Sequence, residues 1–412
     1  MRTPNLGHLG WLLILLLTSQ TGCDLFKSDP PMKKVESAPM EPTSKPEKTQ
    51  SEKDEGPRWK ANDVHAHLNS DAYPLVIDVM DDEGLYRIVN LSGSSSAEKR
   101  QKHLAAAAEH DNRIAIFFNL AWSKIEEDDF GEQMAEALEQ AVADGYAGLK
   151  ISKALGLGVK DADGELLPVD SLKLDPVWEK AGDLGIPVSI HTSDPKAFFE
   201  KPGPDNERWM ELKRAPSWSF YGDEYPSREE LLAARDRMVA KHPDTTFILV
   251  HFANNPEDID YVESLLEKYP NVYLDVSARI GEIGRHPPDK VRALFEKYAD
   301  RILFGTDFML HAKTDPRGTR YRLTLGSISK DGEQPEIADI PDFYEDHWRY
   351  FETDEEAIEH PVPIQGDWEV HPIDLGDETL RKLYVGNSER VIFAPWLGRG
   401  AAHHVIDKAK DL

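Results

Sequence analysis

The amino-acid sequence predicts a (β/α)8 barrel, and three observations lead there. From Trp59 onward, short β-rich apolar runs alternate with amphipathic helical stretches. Eight such runs occur, the number that closes a parallel barrel. Histidine, lysine and aspartate stand at the C-terminal ends of several runs, the end at which all strands of a parallel barrel meet. The competing architecture, an open doubly wound sheet that binds a dinucleotide, lacks support because no G-x-G-x-x-G follows the first run.

Taken in order, the runs are NDVHAHL, YRIVNLS, RIAIFFNLAW, YAGLKIS, IPVSIHT, TTFILVHF, NVYLDVS and RILFGTD. Each is bounded by turn formers or by a helical stretch, as in FGEQMAEALEQAVADG and DKVRALFEKYAD. Helices end in Gly or Pro just before the next strand, as in KAGDLGIP and EKYPN. A last helix is expected at DETLRKLYVGNSERVI. Two connections exceed simple loops: residues 195–228 after strand five and residues 310–376 after strand eight, both rich in aromatics. Long ordered loops at that end of a barrel are expected to be lids or binding elements.

The folded part is expected at residues 59–412, in a chain of 412 residues with 40% hydrophobic and 30% charged residues. Lys plus Arg number 48 and Asp plus Glu 75, a net charge of −27, which argues against a nucleic-acid partner and against electrostatic docking on anionic lipid. The single cysteine, Cys23, excludes an intramolecular disulfide. It follows Arg2, the apolar stretch Leu9 to Leu17 and the small polar residues TSQTG. That stretch is too short to span a bilayer and fits a secretory h-region. The arrangement resembles a bacterial lipoprotein signal peptide over residues 1–22, with Gln20 where that pattern usually has Leu. The resemblance implies lipidation of Cys23 and anchoring in the cell envelope on the extracytoplasmic side. Residues 23–58, dominated by Pro, Ser, Glu and Lys, are expected to form a disordered tether.

The rim residues carry the chemistry. His65 and His67 end strand one, and alternation along a strand aims both at one face. Lys150 lies late in strand four, His191 ends strand five, His251 ends strand six and Asp307 ends strand eight. Four imidazoles and a carboxylate converging on one rim form a candidate site for a divalent metal, with Zn²⁺ the first choice over Mn²⁺, Fe²⁺ or Co²⁺. Asp307 could then bind the ion and take a proton from water, and His251 could polarise a carbonyl or donate to a leaving group. Arg279, after strand seven, is a candidate clamp for a substrate carboxylate. Asp194 and Asn254 are candidates for orienting ligands, and Asp63, on the strand face of His65, reads as a structural group. His311, His347, His360 and His371 read as surface residues of the last long loop.

DVHAHL, GLKIS, SIHTSDP, LVHFANN and RILFGTDF, with the closing YVGNSERVI, resemble the amidohydrolase superfamily. Within it they are most similar to the amidohydrolase-related branch, which holds hydrolases and metal-dependent decarboxylases typified by aminocarboxymuconate-semialdehyde decarboxylase. The resemblance spans about residues 60–395. It implies a distorted barrel with one or two divalent metals at its mouth. In the one-metal version His65, His67, His191 and Asp307 hold the ion and His251 is the acid/base. In the two-metal version Lys150 is carbamylated and bridges. One ion is favoured over two. The expected activity is metal-activated hydrolysis of an amide, ester or lactone in a small molecule. The alternatives are a non-oxidative decarboxylase on the same scaffold and a non-catalytic ligand-binding lipoprotein. Homo-oligomerisation is left open.

Overall fold

The computed structural model describes residues 56–399 apart from 317, 327–334, 363–364 and 367, together with a two-residue strand at Lys33–Lys34. The apolar leader, Cys23 and nearly all of the expected tether lie outside the described residues. Lys33 and Lys34 pair antiparallel with Tyr321 and Arg320. Among the described residues no helix is long and apolar enough to cross a membrane.

All eight expected runs form strands: β1 (Ala61–Leu68), β2 (Leu85–Asn90), β3 (Ile114–Asn119), β4 (Gly148–Ile151), β5 (Val188–Ile190), β6 (Phe247–Leu249), β7 (Val272–Asp275) and β8 (Ile302–Leu303). Each pairs in parallel with the next. The ring closes through the residues that follow β8. Val64 N donates to Phe304 O at 3.0 Å and Asp307 N to His65 O at 2.9 Å. Val64, Val89, Ala115, Phe117, Ile248 and Leu303 pack together inside the ring, and Ile392 and Phe393 of the last helix join them. Trp396 Nε1 donates to Gly145 O at 2.8 Å, so that helix closes the end opposite the strand C-termini.

Helices pack on the outside as their periodicity dictates. The helix Phe130–Asp144 buries Phe130, Met134, Leu138, Ala141 and Val142 along one stripe and stops at Gly145, whose φ of 120° suits a residue without Cβ. The helix Arg228–Lys241, which ends the aromatic connection after β5, starts at a capping box of Ser227 and Glu230.

The connection after β8 departs from expectation. It opens as a β-hairpin, β9 (Phe308–Asp315) and β10 (Gly318–Leu325), whose first three residues pair in parallel with Ala66, His67 and Leu68 of β1. A helix, Ile340–Glu352, then buries Phe343, Tyr344, His347, Trp348 and Phe351. His347 is therefore not a surface residue. It sits on the helix's apolar stripe, 2% exposed, and its Nδ1 meets Phe343 O at 2.8 Å, one turn back. His360, also expected at the surface, is buried with its ring 5.0 Å from that of Trp368. A Cβ on Gly281 would stand 2.5 Å from that ring, so only glycine lets it lie so close. His311 and His371 are half-buried.

An irregularity of register between Asp63 and Ala66 breaks the alternation along β1. Asp63 consequently does not share the face of His65. Its carboxylate accepts from Thr306 N at 3.1 Å, Thr306 Oγ1 at 2.5 Å, His65 N at 3.0 Å and Tyr344 OH at 3.3 Å, tying β1 to the residues that close the barrel. Burial pushes the Asp63 carboxyl up from 3.8 to about 6, against those hydrogen bonds. A carboxyl whose folded value lies above its unfolded one binds its proton more tightly when folded. Stability from this group is thus full below pH 4 and falls as pH rises toward 6, by roughly 3 kcal/mol in all. D63N should flatten that slope. Urea midpoints of wild type and D63N at pH 4, 5, 6 and 7 check it, and a difference between them that does not vary with pH contradicts it.

Candidate metal centre at the barrel mouth

Three imidazoles at the mouth are held by the same device. His65 Nδ1 meets Asp275 Oδ2 at 2.9 Å and Ser277 Oγ at 2.8 Å. His67 Nδ1 meets Ser92 Oγ at 2.8 Å, and His251 Nδ1 meets Ser277 O at 2.9 Å. A carboxylate or a carbonyl only accepts, so in the neutral rings of His65 and His251 the hydrogen sits on Nδ1 and Nε2 keeps the lone pair. His65 Nε2 lies 3.4 Å from Asp307 Oδ1, and His67 Nε2 lies 3.5 Å from the same oxygen. One ligand atom each from His65, His251 and Asp307 lie within 4.8 Å of one another. His65 and His251 are buried, whereas His67 and Asp307 keep 23% and 22% of their side-chain surface exposed and so face the mouth.

Electrostatics suits neutral donors. Burial, then the His65 ring, pushes His67 well below its ordinary value, and burial, then the His191 ring, does the same to His251. Burial pushes Asp307 up. Burial also works to raise Asp275, but the His65 ring, the Ser277 hydroxyl and the His251 amide outweigh it and hold that carboxyl below its ordinary value.

The backbone here is strained. β6 stops at Leu249, two residues earlier than a strand ending in His251 would require, and His251, Phe252, Ala253 and Asn254 all have φ between 51° and 57°. Ser193, Ala278 and Asp307, after β5, β7 and β8, are left-handed too. Each such residue costs about 1–2 kcal/mol, and none of these is glycine. Buried hydrogen bonds hold the turn. Asp275 Oδ1 accepts from His251 N at 2.9 Å, Arg235 Nη1 donates to Ala253 O at 2.5 Å, and Arg228 Nη2 donates to Asn254 O at 2.8 Å.

The structure thus brings His65, His67, His251 and Asp307 together, and His251, assigned above to proton transfer, stands as near Asp307 as a ligand would. His191 packs edge-on against His251, ring centroids 4.4 Å apart, with its Nε2 3.2 Å from Asp194 Oδ1. The amide of Asn254 is satisfied with its nitrogen toward Val250 O and Thr192 O, and its oxygen then accepts from His191 Nε2 at 3.3 Å. Lys150 is buried and its Nζ has no hydrogen-bond partner. Burial brings it down to about 8, with Asp275 and Asp307 acting the other way. Arg279 is buried beside the site. Its Nη1 donates to Ala278 O at 2.7 Å, its Nε is unpartnered, and its charge acts on Asp307.

The sequence reading missed Asp275, Ser277 and Lys153. Asp275 closes the apolar run NVYLDV at the position that His191 and Asp307 occupy in theirs, and the strand-end rule applied to aspartate would have found it. Lys153 lies just past the end of β4, and only the folded loops give it partners.

The family model for amidohydrolases matches residues 63–393. The chain belongs to the amidohydrolase family. It is an enzyme of that family, whose superfamily members bind a divalent metal. No curated protein matches the chain in sequence. Similar solved structures include 2,6-dihydroxybenzoate decarboxylase from Rhizobium, 14% identical, covering 81% of this chain and 98% of that one with a TM-score of 0.43. Another is 5-carboxyvanillate decarboxylase from Sphingomonas paucimobilis, 14% identical, covering 76% and 81%, TM-score 0.41. A third is 4-oxalomesaconate hydratase from Rhodopseudomonas palustris, 12% identical, covering 85% and 99%, TM-score 0.46.

The residues of this amidohydrolase fit a divalent ion. His65 Nε2 is buried and has no hydrogen-bond partner, a costly state for a polar atom unless something binds it. Its separation of 3.4 Å from Asp307 is long for a hydrogen bond but matches the spacing of two ligands about 2.1 Å from one tetrahedral ion. If Asp275 sets the His65 lone pair, D275N should weaken Zn²⁺ binding by about 10- to 100-fold. Competition with a chromogenic chelator measures it, and wild-type affinity in D275N overturns this role.

Proposed function

We propose that this amidohydrolase is a metal-dependent hydrolase acting on an amide, ester or lactone carbonyl of a small molecule. The observation that carries the reading is Asp307 Oδ1 lying 3.4 Å from His65 Nε2 and 3.5 Å from His67 Nε2, the spacing of ligands on one ion. The proposed ion is a single Zn²⁺ held by His65, His67, His191 and Asp307. Bound there, it supplies a Lewis acid that brings the pKa of water toward ~7 and polarises a carbonyl. Asp307, lifted above its ordinary range by burial, accepts the proton of the attacking water. His251, fixed at Nδ1 by Ser277 O, keeps a lone pair at Nε2, which takes up the proton that Asp307 receives and hands it to the leaving group. Lys150 stands as an alternative bridging group if carbamylated. We place the enzyme in the bacterial envelope, held by lipid on Cys23.

A second reading, non-oxidative decarboxylation, is favoured by one observation. Arg279 has no ion-pair partner among the described residues, and Lys150 Nζ none of any kind by hydrogen bonding, so two buried cations beside Asp307 suit a substrate carboxylate. Product analysis separates the two: CO₂ release without incorporation of water excludes hydrolysis.

Purified protein should carry close to one transition-metal ion per chain. H65A, H191A and D307A should lose it and lose turnover while keeping the barrel's circular dichroism. H251N should keep the ion and lose about 10²- to 10⁴-fold in kcat. Elemental analysis beside a panel of esters, lactones and amides checks this. Wild-type turnover by H191A at matched metal content contradicts the assignment of His191, and loss of metal from H251N moves His251 into the ligand set.

A further inference from the structure

Lys153 lies just past the end of β4, between the metal centre and the aromatic connection that follows β5. Its Nζ donates to Asp194 Oδ2 at 2.5 Å, and the other oxygen of that carboxylate takes His191 Nε2 at 3.2 Å. Asp194 is 3% exposed, so this ion pair works in a medium where charge is poorly screened. The same ammonium lies 5.3 Å from the Trp218 ring centroid and 5.6 Å from that of Phe220. Those two aromatics belong to the connection after β5. Phe220 packs on Phe199 and Tyr225, Trp218 packs on Phe198, and Phe220 N donates to Phe198 O at 2.8 Å. Arg228, at the far end of the same connection, donates to Asp194 O at 3.1 Å.

We infer that Lys153 is a positioning residue, which through Asp194 fixes the ring and tautomer of His191 and through Trp218 and Phe220 anchors the aromatic segment that follows β5. The chemistry follows from the partners. Asp194 turns one oxygen to the Lys153 ammonium and the other to His191 Nε2, so Nε2 carries the hydrogen and Nδ1 keeps the lone pair. The Asn254 oxygen at 3.3 Å from the same nitrogen requires the same tautomer. A carboxylate held by Lys153 and hydrogen-bonded to the far nitrogen of an imidazole orients the ring and makes it a better donor. One lysine thereby links the aromatic segment to the ring of His191.

This inference rests on the metal-centre reading above, and the experiment separates the two. The full chain is titrated with Zn²⁺ against a chelator, and limited proteolysis reports cleavage within residues 196–225. K153M should weaken Zn²⁺ binding about 10- to 100-fold and speed that cleavage several-fold, whereas K153R should restore most of both. D194N should reproduce the loss of affinity, and K153M/D194N should be no worse than D194N alone, since the two act through one link. Should K153M not fold, K153R and D194N still read the link. Wild-type uptake of the ion with unchanged affinity in K153M or D194N sinks this inference alone, and a wild-type chain that takes up no ion sinks both.

Discussion

Everything chemical at this barrel mouth depends on one constraint: oxygen acceptors hold one nitrogen of each imidazole, so that the other keeps its lone pair. Asp275 is the chief of these acceptors. One oxygen takes His65 Nδ1, and the other takes the His251 amide and the Ser277 hydroxyl. Ser277 in turn offers its carbonyl to His251 Nδ1. A single carboxylate at the end of β7 therefore organises groups that lie far apart in the chain. The arrangement is favourable because Asp275 and Ser277 are buried and matched, and a half-satisfied polar network at the same depth would cost more than an apolar core.

That network also accounts for where the backbone tolerates strain. Among the described residues, eleven non-glycine residues have positive φ, and seven of them follow β5, β6, β7 or β8. At about 1–2 kcal/mol each, the His251–Asn254 turn alone costs several kcal/mol. Without it His251 would continue β6, and alternation along the strand would decide which way its ring points. The turn instead carries the ring toward His65 and Asp307, and the buried guanidiniums of Arg228 and Arg235 hold the reversed carbonyls.

The barrel was readable in the sequence because its strands are apolar runs of the expected length, and because His, Lys and Asp interrupt an otherwise dry pattern at the ends of several strands. His65, His67, His251 and Asp307 could be read for that reason. The hairpin after β8 was not read, although TRYRLTL alternates with period two. Length and aromatic content had marked the whole span as a loop. His347 was misplaced with it, since the helical stripe at Phe343, Tyr344, Trp348 and Phe351 was not separated from the loop around it. The left-handed turn at His251 leaves no sequence trace, because no glycine marks it and tertiary hydrogen bonds impose it. The register irregularity on β1 is equally silent, and it removes Asp63 from the face that simple alternation assigns.

Charge at the mouth is balanced where the chain as a whole is acidic. A net charge of −27 surrounds a rim where Lys150, Lys153 and Arg279 lie close to the imidazoles. The three cations are used differently. Lys153 is matched by Asp194, so its charge serves the framework. Lys150 and Arg279 are buried without a carboxylate in contact, and burial costs them most where no anion compensates. Distant acidic residues are screened beyond about 8 Å at physiological ionic strength and cannot make up that cost. What offsets it must come into contact, and two nearby carboxylates among the described residues are already committed: Asp275 to His65, His251 and Ser277, Asp194 to Lys153 and His191. Among the described residues the remaining compensation comes from Asp307, whose charge acts on both Lys150 and Arg279.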